Sequence, residues 1–214
     1  MFAVFLAAFV TFFVVIDPPG VAPMFATMTA RMSPAWRRHM AYKSIAVATG
    51  VLLAFAFGGA WLLDKLGVTL NAFRIAGGLL LFLIAVDMLF EKRTERREER
   101  AEEVVAEQAK HPEHMDDISV FPLAIPLISG PGAIASVMLY FTENTDPVNR
   151  LMVLAGAGAN LALCLICFLL AGPLTRLMGA TVAAMITRIF GILLAALAAQ
   201  FVVDGIRNAF GLAS

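Results

Sequence analysis

The chain has 214 residues, 60% of them hydrophobic and 15% charged, and its mean hydropathy is +0.84. That apolar share is far above what a soluble globular domain carries, so the chain belongs in a bilayer. Sixteen Lys and Arg balance sixteen Asp and Glu, with a pI near 6.8, which leaves no excess charge to attract nucleic acid.

A hydrocarbon core about 30 Å thick needs about 20 apolar residues of helix, and six stretches meet that requirement. The first, 2–29, has no positive segment ahead of it and is expected to stay as a span rather than be cleaved as a signal. It is interrupted by Asp17, Pro18, Pro19 and Gly20. Spans at 44–63 and 69–90 follow. The joint 91–117 then gathers ten of the sixteen acids and six of the sixteen basic residues. It has no apolar stripe with which to pack, and is expected to be a solvated helix or flexible linker. His111 and His114 stand beside acids in it, but lack a cysteine or second ligand pair to complete a metal site. The fourth span, 118–142, is broken by Ser129, Gly130, Pro131 and Gly132. The fifth, 151–171, contains Asn160 and the only two cysteines, Cys164 and Cys167, embedded in apolar sequence without a group to stabilise a thiolate. The sixth, 185–208, contains Gln200. The expected fold is an all-α membrane protein of six transmembrane helices, the first and fourth discontinuous.

With six spans, the joints at 30–43, 91–117 and 172–184 share one side. Counting Arg188 with them, that side carries twelve Lys and Arg against four on the other. The charge rule makes it cytoplasmic and puts both termini outside.

The sequence also repeats itself. "IDPPG" from Ile16 and "ISGPG" from Ile128 match at an offset of 112, and the Arg-Ile-x-Gly that starts at Arg74 recurs at Arg188 with an offset of 114. Residues 1–90 and 118–214 therefore read as two three-helix repeats joined by the 91–117 linker. An odd number of spans per repeat inserts the second upside down, the pattern in which discontinuous helices at matching positions mark a transporter's binding site.

Proline suits the first turn of a helix, and Asp or Ser just before it makes a good N-cap. Asp17 with Pro18 and Pro19, and Ser129 with Pro131, are thus read as the starts of two half-helices near the midplane. Their free N–H groups and positive dipole ends attract a carboxylate, while Gly20, Gly130 and Gly132 allow close approach to the backbone. Irregular backbone at that depth survives where it lines a polar cavity. Asp17 has three open roles: binding an amine or coupling cation, taking up a proton, or acting as a cap. Asn160 and Gln200 are candidate substrate contacts, or interhelical hydrogen-bonding groups. Arg74 and Arg188, at matching helix starts, are candidate gates or snorkelling cations. No nucleophile with a base, metal motif or phosphate loop suggests an enzyme, and no cofactor is called for beyond a proton or sodium coupling ion.

"DPPGVAPMF" from Asp17, "RIAGG" from Arg74 and "FPLAIPLISGPGAI" from Phe121 together resemble the MarC family of bacterial inner-membrane proteins over essentially the whole chain. The resemblance implies a branch of the LysE exporter superfamily and a transporter of small neutral amino acids such as glycine and alanine. A small-molecule substrate and membrane lipid are then the expected partners. The competing readings are an exporter or channel for another small solute, a membrane thiol redox protein, and a scaffold. The redox reading expects one reactive cysteine per repeat, whereas both cysteines lie in the second.

Overall fold

The computed structural model describes residues 1–110 and 117–211, with 108–110 and 175–184 as backbone only. His111 and His114 lie outside the described residues. Within them the chain is helical, with no strand. Among the described residues five helical stretches are long and apolar enough to cross a membrane, and a bent pair brings the number to six when it is counted as one span.

The first span is α1 (Phe2–Ile16) followed by α2 (Pro18–Met28), with Asp17 alone between them. The second, α3 (Pro34–Lys65), starts earlier than its apolar stretch: Pro34 is in the first turn and the Ser33 side chain caps Trp36 N–H, so the polar joint is already helical. The third is α4 (Leu70–Leu89), capped by Thr69. The charged joint forms α5 (Lys92–Lys110). The fourth span enters through an irregular helical segment, Ser119–Ile128, and turns by 58° into α6 (Pro131–Glu143). Phe121 and Ile125 leave helical geometry for extended backbone. Each precedes a proline, whose ring disfavours helical backbone in the residue before it. The fifth is α7 (Pro147–Leu169), and α8 (Ala171–Phe210) carries the sixth. The expected joint at 172–184 is helical backbone continuous with that last span.

The central contact of the bundle is α4 against α8. A Cβ on Gly78 would lie 2.9 Å from Ala198 O and 3.0 Å from Val202 N, and one on Gly205 would lie 3.2 Å from Asn71 O. Glycine at both positions lets the two backbones touch. Around this pair, α1 packs on α7, while the fourth span packs on α3. The first broken span thus rests on the middle helix of the second half, and the second broken span on the middle helix of the first. Large apolar side chains such as Phe57, Trp61, Leu83, Ile166 and Ile192 are exposed on the outside, as lipid-facing surface requires.

The joint between the third and fourth spans takes the helical form of the two expected of it, but is solvated on one side only. Helix α5 packs on α2 and α4, burying Ala101 and the guanidinium of Arg97. Its four arginines, Arg93, Arg96, Arg97 and Arg100, fall at i, i+3, i+4 and i+7, one face of a helix. Glu95, Glu98, Glu99 and Glu102 fall on the opposite face. The face that docks this helix combines the buried Arg97 with Ala101.

Candidate solute site at the two broken spans

At the first break, Asp17 has φ 58° and ψ 63°, the left-handed region. A non-glycine residue is uncommon there, and Asp is among the few that visit it readily. Its N–H donates to Phe13 O and ends α1; its carbonyl accepts from Gly20 and Val21 N–H and starts α2. Its carboxylate Oδ1 accepts from Gly20 N–H at 3.1 Å. One residue therefore closes one half-helix and opens the next. Gly20 serves this cap rather than a ligand, because a Cβ there would lie 2.1 Å from the Asp17 carboxylate. Pro18 and Pro19 occupy the first turn of α2, as the sequence suggests.

The other carboxylate oxygen meets α5. Arg97 Nη1 donates to Asp17 Oδ2 at 2.8 Å, with the two side chains 9% and 1% exposed. Arg93 Nη2 donates to Val15 O at 2.6 Å, and Arg97 Nη2 lies 3.5 Å from Ile16 O. Two guanidiniums thus sit on the negative, carbonyl end of α1. Burial, then the neighbouring Arg97, lowers Arg93 to about 9, so it still carries its charge at neutral pH.

At the second break the cap differs from expectation. Gly130, not Ser129, is the N-cap of α6, and no side chain caps that helix. Ser129 instead donates its hydroxyl to Ala48 O of α3 at 3.2 Å. The backbone packs so tightly there that a Cβ on Gly130 would lie 2.7 Å from Pro126 O. Gly132 faces Ile84, Val15 and Leu81, so the start of α6 rests directly on the end of α1 and on α4. A cavity of about 250 Å³ opens beside this contact, lined by Gly130, Pro131, Gly132 and Ala133, by Val15, Ile84 and Asp87, and by all four arginines of α5. Arg96 pairs with Asp87 at 2.7 Å on its rim. The rise of 15 residues in α1 and 13 in α6 places both breaks about 20 Å inside the termini-side ends of those helices.

The remaining candidates lie elsewhere. Asn160 is buried and donates to Phe9 O and Gly156 O, each at 2.9 Å, which fastens α7 to α1 about two turns from Asp17. Gln200 is on the exposed face of α8, donating to Asp204 at 2.8 Å. Neither is brought to the breaks. Arg74 and Arg188 both find acids: Arg74 pairs with Glu143 at 2.7 Å on the termini side, and Arg188 with Glu91 at 2.7 Å on the α5 side. Cys164 and Cys167 are free on the same helix. No group of three or more metal-ligating side chains occurs among the described residues. Arg97 and Arg93 are the functional candidates that the sequence alone does not single out. Their signal is the four-arginine stripe, visible once α5 is drawn as a helix.

The chain matches the model of the MarC family integral membrane proteins over residues 2–210. It belongs to the MarC family. Relatives with the same breadth of match include a UPF0056 membrane protein of Archaeoglobus fulgidus, 36% identical over 94% of this chain and 92% of its own length. The membrane protein YhcE of Escherichia coli is 33% identical, covering 98% and 94%, and YvbG of Bacillus subtilis is 31% identical, covering 98% and 97%. MarC proteins therefore occur in archaea as well as bacteria. No solved structure matches the chain.

Proposed function

We propose that this MarC protein is a secondary transporter of small neutral amino acids of the glycine and alanine class. The observation that carries the proposal is the uncapped start of α6 lining an arginine-rich cavity of about 250 Å³ where the two broken spans touch. Free backbone N–H groups and guanidiniums together suit a carboxylate. The volume is below the ~300–1,000 Å³ of pockets for drug-sized ligands, which favours a small solute. The two halves act as inverted repeats that rock around this site, giving alternating access, with a proton or sodium ion as the coupling ion. On the charge rule, α5 is cytoplasmic and both termini are outside the plasma membrane. The protein catalyses no covalent step. Asp17 is the group that receives the ammonium end of the amino acid.

Uptake of radiolabelled glycine and alanine into proteoliposomes, with and without imposed proton and sodium gradients, tests this. Saturable uptake that responds to one gradient and is lost in Asp17→Asn is expected. Flux that never saturates indicates a channel, and no flux of either amino acid removes the assignment.

A further inference from the structure

We propose that α5 is a tethered competitor for the solute's cationic group: Arg97 fills the ammonium half of the site on Asp17, and a ligand carrying both an ammonium and a carboxylate displaces it and releases the part of the helix around Arg97 and Ala101, while Arg93 and Arg96 keep their contacts to Val15 O and Asp87 at the cavity. The proposal rests on the amino-acid reading above, and adds how the site is closed and which ligands open it.

Three features support it. Arg97 holds Asp17 in the geometry of an ordinary ligand contact, a single 2.8 Å ion pair shielded from water. A buried pair of this kind returns little net stability after desolvation, so exchanging one cation on Asp17 for another is nearly balanced. The helix that brings Arg97 is held mainly by polar contacts, Arg93 to Val15 O and Arg96 to Asp87 among them, and by few apolar ones. Its residues are mostly charged, and its apolar contribution to the core is Ala101 with a partly buried Val104. Elements with so few apolar contacts open at low cost. The cavity beside Arg97 already offers the anion half, the start of α6, and Val15 joins the halves by touching Gly132 two residues from Asp17. A solute with only a carboxylate fits the cavity and leaves Arg97 in place. A solute with an adjacent ammonium competes for Asp17.

A cysteine substituted for Ala101, which is 2% exposed beneath α5, reports release of that part of the helix. In the full-length chain with Cys164→Ser and Cys167→Ser, Ala101→Cys is expected to react slowly with a membrane-impermeant maleimide, about tenfold faster with glycine, and no faster with acetate. Arg97→Gln is expected to label fast without glycine and to bind glycine about tenfold more tightly. The gain reflects the rule that apparent affinity falls with the fraction of competent protein. Labelling that ignores glycine although glycine binds overturns the proposal, as does weaker glycine binding in Arg97→Gln. If glycine does not bind at all while Arg97→Gln and Asp17→Asn still speed labelling of the Ala101→Cys thiol, the closure by Arg97 stands and the amino-acid reading is what fails. The Ala101→Cys response to glycine needs no change at the ion pair, so it decides the matter even if those variants do not fold.

Discussion

Replacing Asp17 separates its three structural jobs. Asparagine keeps a side-chain acceptor for Gly20 N–H and tolerates the left-handed backbone, but leaves Arg97 buried without its counter-charge, at a cost of about 3–5 kcal/mol. Alanine loses the same pair, and in addition the cap, about 1 kcal/mol, and the backbone tolerance, about 1–2 kcal/mol. In a chain of 214 residues each kcal/mol moves the melting temperature by about 2–4 °C. Asp17→Asn is therefore expected to lower Tm by about 6–20 °C, and Asp17→Ala by a further 4–12 °C. The double variant Asp17→Asn with Arg97→Gln puts two neutral amides in place of the ions, and is expected to recover most of the first loss. The assay is thermal unfolding of the detergent-solubilised chain, followed by near-UV circular dichroism with size-exclusion recovery. Equal melting of the Asn and Ala variants would refute the cap and backbone reasoning. A double variant whose loss equals the sum of the singles would refute a direct coupling of Asp17 and Arg97.

Other outcomes follow from particular contacts. Asn160→Leu removes two hydrogen bonds, one of them between α7 and α1, and is expected to cost about 1 kcal/mol and leave glycine uptake intact; loss of uptake without loss of Tm would return Asn160 to the solute site. Gly78→Val drives a side chain into Ala198 O and Val202 of α8, and is expected to lower the folded yield by more than about tenfold, read by fluorescence size-exclusion of a tagged chain. Asp117 is held down to about 2 by the Lys43 ammonium and the Ser119 hydroxyl. Because its folded value lies below its unfolded one, its stabilisation is present above pH ~4 and fades as pH falls toward 2. The pair is about 40% exposed, so the effect is about 0.2–1 kcal/mol, and an acid melt of Asp117→Asn lacks that pH-dependent component.

The spans and both breaks were legible because bilayer physics gives Asp17, Pro18 and the Ser129–Gly132 run few other uses. Which residue caps α6 was not legible. Ser129 has the right side chain and lies close to the right proline, but Ala48 O on a distant helix takes its hydroxyl. Gln200 and Asn160 look alike in a sequence, two amides in apolar helices. The α4–α8 crossing, set by close contacts at Gly78 and Gly205, turns Gln200 outward, while the approach of α7 to α1 buries Asn160. The reading of 91–117 as a solvated helix or flexible linker found the helix but missed its docked face. Searching for an apolar stripe cannot find a helix whose docked face sets only Ala101 and Val104 among arginines, and the partner of the buried Arg97, Asp17, is 80 residues away. The closure of the site by Arg97 was not recoverable from the sequence.

The most direct test of the solute site is equilibrium binding of radiolabelled glycine to the purified chain, comparing the parent with Ile84→Trp, which places an indole in the cavity beside Gly132. A site at the junction of the broken spans predicts saturable one-to-one binding by the parent, and its loss in the variant with the melting temperature retained. Binding that survives with the cavity filled would put the solute somewhere else in the protein.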